Sequence, residues 1–517
     1  MKRWPCFGFL FLCALFLCAL QSATAETLDQ RVHLEGGRGS VYEFLKRVSD
    51  RSQFLFVYEK GVVNNEKRVR VAPGTYTLRE AILHITGEKD LQMRVIDNYI
   101  LLFKTHSDFS PFPVSDSSLL PVSDLSSSTI IEGYVKDRRT REALSFSYIL
   151  LESAGVGTVS NMDGRFSLKV PDSLSTSYVT ISHIGYHSPI IPLKVFEGSK
   201  PEIFMEPNTI QLQEVVVRYV PAQKIVREMI ENMPKNYAPD PAYFTSFYRE
   251  GVEYGGGFVS LTEGVCQIYK SSLGEIVEDN VKLLKMRNIT NRHYPDSILV
   301  KLQAGVRASL DLDIVKYTPD FLATDRDQYF DYVLVGMEAV DSGMVHVISF
   351  KQRDHVMEPF YTGLLYIDSE NRALVRAEFE VNPRYIKQMR KNIIVRKSKD
   401  LVIDMQKISY SVSYRRWNGY YWMNHVRGDI QFKIKKKKSL FGGAERWNAY
   451  FEIATCEIDS KDVKPFPNRE RLQTSKVFSQ TQFMYDADFW ERFNTILPEV
   501  KTTEAILKLL LQVEVQE

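Results

Sequence analysis

Three neighbouring residues, Asp354, His355 and Glu358, have the side chains needed for acid–base chemistry. A carboxylate beside an imidazole can orient the ring, so that the ring acts as a general base. Catalysis of this kind also needs a nucleophile or a metal site, and the sequence contains no Gly-x-Ser-x-Gly, His-Glu-x-x-His or Gly-x-x-x-x-Gly-Lys motif. Acidic and histidine neighbours are also common in surface loops. We therefore predict that the chain is not an enzyme, with a hydrolase of cell-envelope material as an alternative.

Cys266 and Cys456 are the two cysteines that follow the first 25 residues. In an exported chain they could form one disulfide. They could also be two separate buried thiols, because free cysteine is among the most buried residue types. Their spacing fits neither a metal site nor a Cys-x-x-Cys redox pair. We expect no metal and no cofactor.

Asp163 and two histidines, His183 and His187, could be considered as metal ligands. Asp163 is followed by Gly164, and an Asp-Gly pair is typical of a tight turn in which glycine adopts a positive φ. The histidines fall in or just after a strand pattern that ends at Gly185, where a spacing of four does not bring side chains together. We predict structural roles for all of them, with Asp163, Gly164 and Gly185 as turn residues.

A basic run follows Lys433 and lies among apolar residues. It could contact anionic lipid head groups, where each lysine near a charged surface contributes about 1 kcal/mol. The residues that would make this contact are Lys435, Lys436, Lys437 and Lys438. The alternative, which we favour, is a solvated hairpin, because lysine commonly protects exposed strand edges.

The first 25 residues have the pattern of a secretory signal peptide. Lys2 and Arg3 precede an apolar run at 7–20, and Ala23-Thr24-Ala25 fits a cleavage site. The run is short for a membrane-spanning helix, which needs about 20 apolar residues. We predict export to the periplasm. The chain has 66 Lys and Arg against 64 Asp and Glu, and this balance gives no reason to expect nucleic acid as a partner.

Residues 26–104 alternate helix and strand patterns. One apolar face at helical spacing is formed by Val41, Phe44, Leu45 and Val48, and Thr77 can cap a second helix. This order, with the phrase Thr-Leu-Arg-Glu-Ala-Ile-Leu at 77–83, resembles the short domain shared by secretins and TonB-dependent transducers. The resemblance implies a small α/β module for protein–protein contact in the periplasm. Residues 105–129 are rich in Ser and Pro, and we predict a flexible linker.

Residues 130–207 show short strands separated by turn signals, which favours an antiparallel sandwich. The stretches Ile-Glu-Gly-Tyr-Val-Lys-Asp at 131–137, Asn-Met-Asp-Gly-Arg-Phe at 161–166 and Ile-Gly-Tyr at 184–186 carry a family likeness. They resemble the carboxypeptidase-regulatory-like β-sandwich found at the front of many outer-membrane proteins of the Bacteroidetes. That resemblance implies an Ig-like module without chemistry of its own, in a protein associated with the outer membrane.

Residues 208–220 contain Leu-Gln-Glu-Val-Val-Val. This resembles the segment that precedes the plug of outer-membrane nutrient receptors, where TonB engages nearby. The alternative is a strand that connects two domains, which we favour because β-branched runs favour strands in general.

Residues 221–517 begin with a helix pattern at 222–233 that we expect to end at Pro234. Alternating aromatic strands follow, with hairpin turns at 368–371 and at Asn418-Gly419. We predict a large α+β domain with a curved antiparallel sheet. The hairpins are similar to those of the lipoprotein-carrier-like half-barrel, which implies an apolar cavity for acyl chains. All three parts together resemble uncharacterised Bacteroidetes proteins.

The sequence thus predicts a multidomain, mainly β protein: a signal peptide, a small α/β module, an Ig-like β-sandwich and a large α+β domain. The function that this organisation favours is that of a non-catalytic accessory protein of the periplasm, associated with the outer membrane. Its partner would be a periplasmic or outer-membrane protein, with the TonB system as the candidate, in transport or signalling. The alternatives are a carrier of lipid or another amphipathic ligand, and a cell-envelope hydrolase.

Overall fold

The computed structural model describes most of the chain, with gaps. The described residues are 28–52, 54–58, 63–64, 67–96, 99–104, 128–174, 177–210, 222–255, 257–274, 277–290, 301–302, 305–340, 343–389, 394–396, 401–436, 445–473, 478, 481, 493–499 and 503. The predicted signal peptide therefore lies outside them, as do most of the predicted linker and connecting strand. Within these ranges, no helix combines the length and the apolar character that crossing a bilayer requires.

The first compact unit contains the described residues up to 104. Its elements are β1 Arg31–Leu34, β2 Gly37–Ser40, α1 Val41–Ser52, β3 Leu55–Tyr58, β4 Arg68–Val71, β5 Gly74–Thr77, α2 Leu78–Thr86, β6 Leu91–Ile96 and β7 Tyr99–Lys104. β1 pairs with β5 and β2 with β4, while β7 lies between β3 and β6. Both helices bury the apolar face that the sequence periodicity predicts.

Helix α2 begins and ends at the residues whose chemistry favours those positions. The Thr77 hydroxyl accepts a hydrogen bond from the Glu80 backbone N–H at 3.2 Å, and the Glu80 carboxylate accepts one from the Thr77 N–H at 2.9 Å. This reciprocal capping box satisfies two N–H groups that have no partner inside the helix. Gly87 ends the helix with φ 71°, a conformation that glycine adopts without strain. The unit has its own hydrophobic core.

The second unit contains residues 128–208 and the described residues from 222 onward. Its first part is a sandwich of β8 Ser128–Asp137, β9 Tyr148–Leu151, β10 Val156–Val159, β11 Arg165–Pro171, β12 Tyr178–Ser182, β13 Ile190–Pro192 and β14 Glu202–Met205. One sheet has the order β10-β9-β12-β13, and the other β11-β8-β14. Alternate residues of the two sheets, such as Val135, Ile149 and Phe166, form the core between them. The short strand β15, Thr209–Ile210, comes next in the sequence and is assigned to the first unit.

The rest of the second unit is built on one large antiparallel sheet. Its elements are α3 Ala222–Asn236, β16 Ala242–Tyr254, β17 Gly257–Lys270, β18 Asn280–Thr290, β19 Lys301–Leu302, α4 Val306–Asp311, β20 Phe330–Val340, β21 Gly343–Gln352, β22 Tyr361–Asp368, β23 Leu374–Val381, β24 Ile394–Arg396, β25 Leu401–Trp417, β26 Tyr420–Lys436 and β27 Glu445–Asp459. The strands of the large sheet run in the order β20-β21-β22-β23-β25-β26-β27-β16-β17-β18. The first strand, β16, therefore lies between the last strand, β27, and β17. The mainly β fold class is confirmed.

The two predicted hairpin turns form as their residues indicate. The Asp368 carboxylate accepts hydrogen bonds from the backbone N–H groups of Glu370 at 2.8 Å and Asn371 at 3.1 Å. Asn418 and Gly419 both have positive φ, 51° and 87°, as a two-residue hairpin loop requires. The predicted end of α3 at Pro234 is wrong by two residues. The helix continues to Asn236, and the Tyr237 N–H still bonds to the Met233 carbonyl at 3.1 Å.

The considered disulfide between Cys266 and Cys456 is not formed, and both are buried free thiols. β17 and β27 lie on opposite sides of β16, so their backbones are roughly 9–10 Å apart, beyond the range that a disulfide spans. The side chains also differ in direction. Cys266 is opposite Ser246, whereas the Cys456 thiol packs with Phe247, the next residue of β16. The second alternative, two separate buried thiols, describes this pair.

A candidate binding pocket between the sandwich and the large sheet

A row of five charged residues crosses the large sheet under the sandwich. We call it the charge ladder: Arg427, Glu452, Arg249, Glu263 and Arg287, from β26, β27, β16, β17 and β18. Each is the direct cross-strand neighbour of the next, so positive and negative charges alternate. Cross-strand neighbours have Cβ atoms only about 5 Å apart, which lets every pair form an ion pair.

The centre of the ladder is completely buried. The Arg249 guanidinium lies 2.6 Å from one oxygen of Glu263 and 3.2 Å from Glu452, and these three side chains are at most 1% exposed. Arg427 donates to the second Glu452 oxygen at 3.3 Å, and Arg287 bonds to the second oxygen of Glu263. Each buried glutamate therefore lies between two arginines. Buried charges are tolerated only with such complete pairing.

Glu452 and Arg249, two central members of the ladder, remain ionised. Burial alone would raise the pKa of Glu452, but the His425 ring, whose Nε2 atom lies 3.6 Å from the carboxylate, and the charges of Arg427 and Arg249 lower it to about 2. Burial likewise opposes the charge of Arg249, yet Glu263 and Glu452 raise its pKa well above the ordinary value. The neighbouring His425 is different, because burial lowers its pKa and favours the neutral ring.

Residues 493–499, which we call the strap, lie between the ladder and the sandwich. Arg249 donates hydrogen bonds to the carbonyl oxygens of Ile496 and Leu497, the latter at 3.3 Å. The Asn161 side chain of the sandwich donates to the carbonyls of Leu497 and Pro498, both at 3.2 Å. The strap therefore connects the sheet to the sandwich through its own backbone.

Apolar packing completes this junction. Its buried cluster takes residues from the sandwich, the sheet and the strap: Tyr148, Val159, Phe247, Val265, Ala454, Cys456 and Ile496. At the cluster's edge Phe146, with φ 60°, stacks on His425 at 4.9 Å between ring centroids. The Arg427 guanidinium lies 5.3 Å from the same ring. The sandwich and the large sheet thus share one buried interface.

A pocket of about 360 Å³ opens at this junction. Its charged and aromatic walls are Asp163 in the sandwich turn, Glu253 on β16, Arg427 and Asp429 on β26, Tyr450 on β27 and Glu499 at the end of the strap. Its volume is within the range of small-molecule sites, which is about 300–1,000 Å³. It is therefore our candidate functional site.

Acceptors dominate the chemistry of this pocket. Arg427 donates to both oxygens of Asp429, at 2.8 and 2.9 Å, and its remaining terminal nitrogen donates to Glu452. Its hydrogen bonds are thus directed to carboxylates of the protein. Burial raises the pKa of Glu499, although the charge of Arg249 opposes the shift. A pocket with this lining attracts a group that donates hydrogen bonds and carries positive charge.

A second polar cluster lies at the other face of the sheet. The Lys270 ammonium is 2.7 Å from both Asp279 and Asp313, and Lys316 bonds to Asp279 and to the Ser271 hydroxyl. A serine beside a lysine can form a nucleophile–base pair. Here the adjoining cavity is only about 40 Å³, room for about one or two waters. We therefore assign this cluster to holding the chain after α4 onto the sheet.

The residues considered for catalysis from the sequence lie on the loop between β21 and β22. Asp354, His355 and Glu358 are all exposed. The Asp354 carboxylate binds Arg384 at 2.8 Å, on another loop. Within the described ranges, no group of three or more His, Cys, Asp or Glu side chains is arranged to hold a metal ion.

The turn at 161–164 is held by a side chain that the sequence analysis did not single out. The side-chain Oδ1 atom of Asn161 accepts hydrogen bonds from the backbone N–H groups of Asp163 at 3.0 Å and Arg165 at 2.9 Å. Gly164 has φ 73°, and a Cβ there would lie 2.4 Å from the Val135 carbonyl oxygen. The same asparagine contacts the strap, so this turn positions one wall of the pocket.

Gly185 and the two histidines have separate structural surroundings. Gly185 has φ 85°, and its N–H bonds to the Ala339 carbonyl of β20 at 2.8 Å, which connects the sandwich to the sheet a second time. His183 is within 3.0 Å of the Ser147 hydroxyl, whereas His187 is 3.3 Å from the Asn208 amide. The two histidine rings therefore have different partners.

The basic run lies at the end of β26. Lys433 is half-buried and Lys435 is exposed. Phe432, which precedes Lys433, and Ile434, which lies between the two lysines, are buried. This alternation is that of a strand with one solvated face. Lys437 and Lys438 lie outside the described residues, and the side chain of Lys436 does too.

The charge ladder was missed because it depends on strand order. Arg249 and Glu452 are 203 positions apart in sequence. A weaker signal was present, since Arg249 follows Phe247-Tyr248 and Glu452 stands between Phe451 and Ile453. Single charges inside apolar strand patterns indicate buried ion pairs, and opposite signs on two such strands indicate that the strands meet.

Comparison with known proteins identifies one domain of the chain. The family model described as CarboxypepD_reg-like domain matches residues 131–217. A carboxypeptidase-regulatory-like domain is therefore present, as the sequence motifs predict. No curated protein matches the chain.

Several solved structures share a weak likeness. A DUF1329 family protein from Desulfovibrio piger is 11% identical over 47% of this chain and 92% of its own, with a TM-score of 0.20. A putative outer membrane lipoprotein-sorting protein domain from Vibrio parahaemolyticus is 10% identical over 47% and 94%, with a TM-score of 0.21. A LolA superfamily protein from Nitrosomonas europaea is 11% identical over 48% and 97%, with a TM-score of 0.19. At these TM-scores the likeness says nothing about the function of this chain.

Proposed function

We propose that the chain is an exported, non-catalytic accessory protein of the cell envelope that acts by binding other proteins. One observation carries the proposal: the carboxypeptidase-regulatory-like domain is built into the large sheet through a buried junction. A module without chemistry of its own that is fixed in this way serves to present a surface. The signal-peptide pattern at 1–25 supports the periplasm as the compartment.

The partner that we propose is a periplasmic or outer-membrane protein, with the TonB system as the first candidate and the inner side of the outer membrane as the location. The first unit supports this, because α1 and α2 bury their apolar faces in a small α/β fold, which is what the resemblance of its sequence leads us to expect. Its own core makes it able to bind a partner by itself.

The test is purification of the full chain from envelope extract in mild detergent, with mass spectrometry of what accompanies it. We expect a stoichiometric outer-membrane or TonB-system protein.

A matched pair of variants then locates the contact. Ile82→Asp places a charge in the core of the first unit, whereas Glu35→Gln changes a side chain that is 71% exposed and weakens its surface ion pair with Arg51. Loss of the partner with the first variant alone assigns binding to this unit. Recovery of the chain in the cytoplasmic fraction would refute the proposal.

A carrier of lipid or another amphipathic ligand is the second candidate. The face of the sheet turned away from the sandwich carries an aromatic cluster in which Phe321 stacks on Phe350 at 4.3 Å and contacts Phe379 at 5.2 Å. Phe321 belongs to the segment between α4 and β20, so a ligand must displace this segment to reach the cluster. Native mass spectrometry with added phospholipid tests this, and an unchanged apo mass counts against it.

The remaining alternative is a cell-envelope hydrolase. Alanine at Asp354, His355 and Glu358 together separates it from a binding role. On our proposal the triple variant keeps its fold and its phenotype, because all three side chains are exposed. Loss of phenotype with an unchanged unfolding transition would instead assign chemistry to this loop.

A further inference from the structure

The junction pocket is enclosed by three separate parts of the chain. The sandwich turn contributes Met162 and Asp163, the sheet contributes Arg427 and Tyr450, and the strap contributes Glu499. A volume of about 360 Å³ corresponds to about twelve waters at their liquid volume. A long side chain or a small organic molecule would fit.

Acidic side chains outnumber basic ones in its described lining, and two of them, Asp163 and Glu253, have partners of their own. Four carboxyl groups line it, from Asp163, Glu253, Asp429 and Glu499, against one guanidinium. That guanidinium, on Arg427, already bonds to Asp429 and Glu452, and its plane lies 4.6 Å from the Tyr450 ring centroid. Little of Arg427 remains to bind an anion.

Glu499 supplies the decisive observation. Its Oε2 atom is buried and has no hydrogen-bond partner in the described part of the chain. A buried carboxylate oxygen without a donor is costly, and native structures keep few of them. Burial raises the pKa of this group, although the charges of Arg249 and Arg427 oppose the shift.

We propose that the junction pocket binds an organic cation, an ammonium or guanidinium group that donates to Glu499. Such a group supplies the hydrogen bond that the Glu499 Oε2 atom lacks. The Asn448 and Gln431 side chains in the same lining add amide oxygens that accept further hydrogen bonds. Phe258 and Ile430 add apolar surface for the stem of the ligand. The source of the cation is either a free amine or a lysine or arginine side chain.

Isothermal titration calorimetry of the full chain tests the proposal. The probes are putrescine for a free amine, N-acetyl-lysine amide and N-acetyl-arginine amide for side chains, and N-acetyl-norleucine amide as the neutral match for lysine. We expect saturable binding of at least one cation and none of norleucine amide. A preference for putrescine or for the amino acid amides identifies the source.

Two variants and one control assign binding to the pocket. Glu499→Gln removes the charge, and we expect about 10–100-fold weaker binding, the value of one charge-assisted hydrogen bond. Met162→Trp narrows the opening of the pocket with a larger side chain and no change of charge, and we expect it to abolish binding. Glu197→Gln changes an exposed carboxyl that does not line the pocket, and should leave affinity unchanged.

Three results would overturn the proposal. One is the absence of saturable binding of all three cations by the folded wild-type chain. Another is equal affinity for norleucine amide, and the third is unchanged affinity in both pocket variants. Each is distinct from failure of the proposed function, because none depends on which protein accompanies the chain in the envelope.

Discussion

The two faces of the large sheet bury different chemistry with the same strands. On the sandwich face, β16 contributes Arg249 to an alternating row of charges. On the other face it contributes Phe244 and Tyr248, and Phe244 meets Trp422 edge to face at 5.7 Å. The aromatic packing gains from any close contact, whereas the charge ladder is stable only if every partner is present. A sheet with regular cross-strand register can therefore bury a row of ions. A buried row of this kind tolerates substitution less well than aromatic packing does.

The largest effect should come from removing one member of the charge ladder. Glu452→Ala leaves Arg249 and Arg427 without their shared partner, and we expect unfolding free energy to fall by about 3–5 kcal/mol. Urea denaturation of the full chain measures it. The control is Glu206→Ala, which breaks an exposed pair with Arg138 and should cost no more than about 1 kcal/mol. Equal losses in both variants would contradict the role of the ladder.

Truncating one ring of the aromatic cluster around Phe321 should lower the unfolding free energy slightly less, and by the same amount at any pH. Phe321→Ala removes a buried ring that stacks on Phe350, at a cost of about 3 kcal/mol. Because no charge is involved, the difference from wild type should be the same at pH 7 and pH 4. A loss that varies with pH would show that the two faces are coupled.

Removing the contacts between Asn161 and the strap should lower the unfolding free energy by an intermediate amount. Asn161→Ala removes the donor to two strap carbonyls and the acceptor of two turn N–H groups, and we expect a loss of about 1–3 kcal/mol. Hydrogen exchange should increase at Ile496 and Leu497 before it increases in the strands. Asn208→Ala, at the other connection near Gly185, is the matched control and should leave exchange in the strap unchanged.

The charge ladder should make the unfolding free energy fall as the pH is lowered. The pKa of Glu452 is lowered to about 2 from 4.5, so its contribution is fully present above about pH 4.5 and is lost as pH falls toward 2. Denaturation of wild type at steps between pH 7 and pH 2.5 measures this. Glu452→Gln should have a flatter profile over the same range. An identical slope in the variant would assign the acid sensitivity to other carboxyl groups.

The two thiols should show the smallest effect. Burial raises the pKa of both Cys266 and Cys456 to about 12, so neither forms an appreciable thiolate at neutral pH. For a chain of residues 26–517, which contains only these two cysteines, we expect no reaction with an alkylating reagent in the native state and two labelled sites after unfolding. Electrophoretic mobility should be the same with and without reductant. Labelling of one site in the native state would indicate that its face of the sheet opens.

Local features of this fold could be predicted from the sequence, and non-local ones could not. The capped helix after Thr77, the turn at Gly164 and the hairpin at Asn418-Gly419 depend on residues a few positions apart. The ladder and the pocket depend on β16 pairing with β27 and on the strap reaching Asn161, contacts between residues hundreds of positions apart. No local propensity encodes which strands become neighbours, so the residues of the candidate site could not be grouped in advance.

The strap has a consequence for the order in which the protein assembles. Asn161 and Leu497 are 336 positions apart, so the sandwich is made long before the strap that joins it to the sheet. Domains generally fold as units in the order of synthesis, and the sandwich, which has its own core, can fold at once. Arg249 acquires its carbonyl partners only when residues 496 and 497 arrive. Closure of the junction is therefore a late step. A chain that is truncated before residue 496 would leave the Arg249 guanidinium without its carbonyl partners and expose it to proteases and chaperones.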